Sequence, residues 1–229
     1  MKMEQNHGYL KHLKLFGAFY LVVLLSYLTL GRFTDNRHIL ELVTGQIALI
    51  GVLLLLFKVT PGGAAAALAR MGLYKTLLFI AGGFVLGAIN RYYLEYAAKQ
   101  GFAVQPGDNQ LKINSFDARG IDFVLLVAVI TVTAPLLEEL IFRFAALGRV
   151  HRLINASNLS IGRKGALSAA LVFVVSILFA LAHAPSPATL AVYFFSSVIY
   201  SLSYLKYGLP AAVLLHSAGN AFSLLIASL

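Results

Sequence analysis

Residues 121–147 read IDFVLLVAVITVTAPLLEELIFRFAAL. Between Asp122 and Glu138 nothing is charged, and a run of about 20 such residues is what a helix needs to cross the hydrocarbon of a bilayer. The composition says whether this is a buried core helix or a membrane span. The chain of 229 residues is 59% hydrophobic and 12% charged, whereas a soluble domain is about 45–50% apolar and about 25% charged. Mean hydropathy is +0.82. The protein therefore reads as integral to a membrane, with apolar runs at Lys14 to Leu30, Ile39 to Phe57, Leu73 to Tyr93, Ile121 to Leu137 or beyond, Leu167 to Ala182, Thr189 to Leu205 and Leu209 to Leu229. The expected fold is all-α, a polytopic bundle of about seven transmembrane helices.

The first run follows Lys2, Lys11 and Lys14 without a small-residue cleavage site before Gly31, so it reads as a retained helix rather than a signal peptide. Cysteine is absent, which excludes disulfides, thiolate metal sites and a catalytic thiol. A net charge of +9 does not indicate nucleic acid, because the Lys and Arg residues sit at span ends, where they set topology. With the N-terminus inside, Lys58, Arg70, Lys75, Arg149, Arg152, Arg163, Lys164 and Lys206 fall on the cytoplasmic side together with the three N-terminal lysines, against Arg32, Arg37, Lys99, Lys112 and Arg119 outside. A multi-pass protein of a cell membrane, N-terminus in and C-terminus out, is expected.

The chain divides by motif content into residues 1–120, which carry three spans and no recognisable chemistry, and residues 121–229. Two connections look long: a polar outer loop from Ala97 to Gly120, and a basic inner one from Arg149 to Gly165. Gly62–Met71 is rich in small residues and too short to span, suggesting an interfacial turn and half-helix. Gly83 and Gly87 form a GxxxG pair, read chiefly as close helix packing.

A charged residue at mid-bilayer costs about 2.5–3.5 kcal/mol on insertion scales, so each one is a functional candidate. The set is small: Glu138, Glu139 and Arg143 on the fourth segment, His183 on the fifth, His216 and Asn220 on the last. On a helix Glu138 and Glu139 point about 100° apart, while Glu139 and Arg143, at i and i+4, share a face and can pair. Glu138 is then left to face a cavity. His216 and Asn220 also stand at i and i+4, and Phe179 sits one turn before His183, where it can pack under the imidazole. Each feature alone has a structural explanation: a boundary ion pair, an interfacial histidine, an interhelical amide. Their concentration on three spans otherwise nearly free of ionisable groups favours a shared site.

Glu138-Glu139-Leu140-Ile141-Phe142-Arg143, Phe179-Ala180-Leu181-Ala182-His183 and His216-Ser217-Ala218-Gly219-Asn220 resemble, in that order, the EExxxR, FxxxH and HxxxN motifs of the CAAX protease and bacteriocin-processing (CPBP) family of intramembrane endopeptidases, related to type II CAAX prenyl proteases. The resemblance covers about Asp122 to Leu229. It implies hydrolysis of a peptide bond in a membrane-associated peptide or protein. Glu138 and His183 would activate a water, while His216 and Asn220 would bind the oxyanion, with Glu139, Arg143 and Phe179 in support. A carboxylate in apolar surroundings holds a proton more readily than one in water, which suits it to take a proton from water and return it to a leaving amine. An oxyanion donor is typically worth about 2.7–4 kcal/mol. The partners implied are the lipid bilayer and a peptide or membrane-protein substrate, without nucleic acid.

Glu138, His183 and His216 are also a possible zinc set. The histidines lack HExxH spacing, so the expectation is no cofactor, with zinc the alternative. Helices of span length would leave Glu138 and His183 at different depths, so sharing a site demands a long fourth helix or an early start to the fifth. The biological setting suggested by the resemblance is bacteriocin maturation or self-immunity in a bacterial plasma membrane. Two other functions use the same cluster: a non-catalytic immunity or binding protein, and a transporter or proton relay. The latter lacks the paired broken-helix repeats common in transporters.

Overall fold

A computed structural model describes residues 21, 23–56, 61–104, 119–183 and 186–227. Among these, six helices are long and apolar enough to cross a membrane: α1 (Arg37–Leu56), α2 (Pro61–Lys99), α3 (Ile121–Ala156), α4 (Ile161–Leu181), α5 (Pro187–Tyr207) and α6 (Leu209–Ala227). The chain is a polytopic all-α membrane bundle. Of the expected first span, residues 23–30 are helical and most of the remainder lies outside the described residues. So does the middle of the expected outer loop, residues 105–118.

Gly72 divides α2. Its φ of 74° and ψ of 161° break the helix, a left-handed conformation that only glycine adopts without strain. Gly62–Met71 is thus helical but set off from the span, which begins at Leu73 as expected. The Thr76 hydroxyl donates to the Gly72 carbonyl at 2.9 Å, at the start of the span.

The closest helix pair is α2 with α6. A Cβ on Gly83 would lie 2.5 Å from the Leu215 carbonyl oxygen and 2.6 Å from Ala218 Cβ, and one on Gly87 would lie 2.8 Å from the Phe222 ring. The GxxxG pair is therefore a seam within one chain. Small residues let backbones approach where no hydrophobic force between helices is available, so dispersion contacts hold the pair together. Met71, Phe79 and Leu86 of α2 extend the seam against Ala211, Ala212 and Leu215 of α6, with Tyr200 of α5 closing it. Large apolar side chains on the other faces, such as Leu77, Val85, Leu178 and Leu202, are exposed, as lipid-facing positions are.

The structure corrects the connection expected at Arg149–Gly165. α3 runs unbroken for 36 residues to Ala156, about 54 Å at 1.5 Å per residue against about 30 Å of hydrocarbon. α4 starts at Ile161, six residues before the expected Leu167, leaving only residues 157–160 between the two. From that turn Glu138 is about 27 Å up α3 and His183 about 33 Å up α4, which reconciles their depths. Basic residues spread along both helices lowered the apolar signal and made helix look like loop.

α3 is not α-helical throughout. Val129–Thr133 and Leu140–Leu147 are π-helical, on either side of the α-helical Ala134–Glu139. Such wide turns recur at functional sites. α1 leans on the first of them: Ile39 and Val43 pack on Val129, and the Thr133 hydroxyl donates to Gln46, while just before α1 the Thr34 hydroxyl donates to Asp122 near the start of α3.

Candidate active site

Glu139 and Arg143 are fully buried, and Arg143 Nη1 lies 3.1 Å from Glu139 Oε1. Two charges in such a place persist only when paired. Arg143 Nη2 also donates to the Ser197 carbonyl at 3.1 Å and to Ser197 Oγ at 2.6 Å. The guanidinium carbon sits 4.5 Å from the Phe179 ring centroid and 5.4 Å from that of Tyr200, so ring faces supply part of the stabilisation that water would give. Arg143 ties α3 to α5 and provides the platform under which the remaining polar groups gather.

The two histidines have their orientations set from behind. His183 Nδ1 lies 2.8 Å from the Phe179 carbonyl oxygen; a carbonyl only accepts, so Nδ1 carries the hydrogen. His216 Nδ1 lies 2.9 Å from Glu139 Oε1 and donates to that carboxylate by the same reasoning. In both rings Nε2 is thereby turned toward Glu138, 3.7 Å from its Oε2 in each case. Glu138 Oε2 is buried and makes no hydrogen bond within the protein. The Glu138 side chain as a whole is 26% exposed.

Each imidazole is also clamped by a ring. Tyr193 stacks on His183 at 4.3 Å and 20°, and Tyr200 on His216 at 4.7 Å and 17°. Phe179 lies beside both, 4.7 Å from His183 and 5.9 Å from His216. Tyr193, Ser197 and Tyr200, all on α5, were missed in the sequence, where tyrosines and serines in a span look like ordinary packing. Their spacing was the available signal, because Thr189, Tyr193, Ser196, Ser197, Tyr200 and Tyr204 recur every three or four residues on one helix face.

Asn220 Nδ2 donates to the Ile130 carbonyl at 3.0 Å, in the first π segment.

Among the described residues no group of three His, Cys, Asp or Glu closes to metal-binding spacing. The chemistry of Glu138, His183 and His216 nonetheless suits a zinc ion, since both imidazoles offer Nε2 and are held at Nδ1 by acceptors. The same convergence of acceptors suits the hydrogens of a water molecule.

Residues 120–222 match the family described as type II CAAX prenyl endopeptidase Rce1-like. No curated protein and no solved structure matches the chain. The matched segment spans α3 to α6 and contains all of the polar residues described above. The region from Gly120 to Phe222 is thus similar to the Rce1-like endopeptidase family, the family that its three motifs resemble.

Proposed function

We propose that the chain is an intramembrane endopeptidase in which Glu138 activates a water for attack on a peptide carbonyl. The observation that carries this reading is the placement of Glu138 Oε2, buried and without a hydrogen bond, 3.7 Å from two imidazole nitrogens, one in the turn after α4 and one on α6. A water among these three atoms donates one hydrogen to Glu138 and the other to His183 Nε2. Attack on the scissile carbonyl carbon passes the water's proton to Glu138, which returns it to the departing amine. His216 faces the developing oxyanion. When Nε2 of His216 carries a proton, it supplies the donor that the oxyanion needs. Should the site hold zinc, Glu138, His183 and His216 are the residues that would bind it, and the ion would polarise the carbonyl or the water.

The substrate class is a peptide or protein already in the membrane. A site in the middle of a bundle with lipid-facing outer surfaces is reached most directly from the bilayer. Bacteriocin maturation or self-immunity is the setting we attach to it, and that assignment rests on motif resemblance alone.

The test is a mass-spectrometric survey of membrane and secreted peptides from cells expressing the wild type or Glu138→Gln at matched levels. Cleavage products seen only with the wild type support proteolysis and name the substrate. Identical peptide sets alongside a wild-type phenotype in the variant would make the cluster structural and the protein a binding partner.

A further inference from the structure

The Ile130 carbonyl is the acceptor that a proline leaves without a donor. In the first π segment the hydrogen bonds reach back five residues: the Ala134 N–H goes to the Val129 carbonyl. The next bond in that register would run from residue 135 to the Ile130 carbonyl. Residue 135 is Pro135, fully buried and without an N–H. A buried carbonyl without a partner is costly, and Asn220 Nδ2, from α6, fills the position at 3.0 Å. Earlier carbonyls also take side-chain hydroxyls, Val127 from Thr131 at 2.8 Å and Val129 from Thr133 at 3.5 Å.

From this we infer that Asn220 is a positioning residue: it replaces the missing N–H of Pro135 and so holds the π register that aims Glu138. The inference rests on the proposed catalytic role of Glu138 and departs from an oxyanion role for the amide. A π turn holds one more residue than an α turn, so reversion of this segment to α would turn everything after it by about 100°. Glu138 lies eight residues beyond Ile130. Loss of Asn220 thus weakens the fold and misdirects the carboxylate together.

Restoring an N–H at position 135 should make Asn220 dispensable. The experiment compares wild type, Asn220→Ala, Pro135→Ala and the double variant, each as full-length protein purified in neutral detergent. Thermal and denaturant unfolding are measured, together with kcat and KM on the peptide identified by the survey. Asn220→Ala should move the folding equilibrium about five- to a hundredfold toward the unfolded state. Its kcat should drop about a hundredfold with KM little changed, the effect of a misplaced catalytic group. The double variant should recover both most of the stability and most of kcat. If Asn220→Ala yields no folded protein, the double variant should still fold.

A double variant no more stable than Asn220→Ala, or equally unable to fold, overturns the inference. Recovered stability with kcat still low also overturns it and puts Asn220 on the reacting oxygen. If even the wild type cleaves nothing, the protease reading fails, while the unfolding data still decide whether Asn220 stands in for the N–H of Pro135.

Discussion

His216 Nδ1 and Arg143 Nη1 meet on one atom, Glu139 Oε1, at 2.9 and 3.1 Å. One carboxylate oxygen therefore holds the structural cation and orients the imidazole that faces Glu138. Removing Arg143 leaves a buried charge without its partner. Arg143→Met is expected to cost about 3–5 kcal/mol of stability, whereas Glu139→Gln combined with Arg143→Met should cost less than the sum of the two single changes. Denaturant titrations of the four proteins check this, and strict additivity would show that the pair is not coupled.

The Gly83 seam gives a steric prediction. A side chain there meets the backbone of α6 at 2.5 Å, and backbone cannot move aside as a flexible side chain can. Gly83→Val should destabilise by about 1–3 kcal/mol or more and reduce activity by shifting His216. Gly45→Ala, with nothing within 4 Å of the added carbon, should be neutral or slightly stabilising. Unfolding midpoints of both variants in the same detergent make the comparison.

Tyr193 and Tyr200 hold the histidines by their ring faces, and aromatic pairing is worth about 0.5–1.5 kcal/mol beyond burial. Tyr200→Phe retains the ring and should remain within about twofold of wild-type kcat, while Tyr200→Leu should lose roughly three- to tenfold. The same order should hold at Tyr193. A Tyr→Phe change as damaging as Tyr→Leu, with folding intact, would instead assign the hydroxyl a chemical part.

Metal dependence separates the two uses of the convergent acceptors. With a water as the nucleophile and no resident ion, dialysis against a strong chelator should leave the cleavage rate unchanged. A rate lost on chelation and restored by zinc would place the ion on Glu138, His183 and His216.

The three motifs were legible because each puts ionisable groups where apolar neighbours make them costly. The i, i+4 spacing of Glu139 and Arg143 likewise announced their pairing. The span limits of α1, α5 and α6 followed from hydropathy to within two residues where they are described, whereas α2 runs six residues past the expected Tyr93 to Lys99. What the sequence withheld depends on contacts between helices. The first π segment of α3 ends where Pro135 lacks an N–H, and Asn220, 85 positions later in the chain, donates to the Ile130 carbonyl. No local pattern carries that pairing. Tyr193 and Tyr200 resemble packing residues until the histidines from two other helices are seen against them. The basic ends concealed eight residues of helix in α3, residues 149–156, and six in α4, residues 161–166.

The most direct test of the account is the cleavage rate of the purified protein in neutral liposomes, wild type against Glu138→Gln, on the substrate the survey identifies. Glutamine keeps the shape of the side chain but cannot take the water's proton, a contribution of about 10²–10⁴-fold. The account predicts a rate at least about a hundredfold lower in the variant, with an unfolding midpoint close to wild type because Glu138 is partly exposed and makes no hydrogen bond through Oε2. A well-folded Glu138→Gln protein that cleaves within a few fold of the wild-type rate would contradict it.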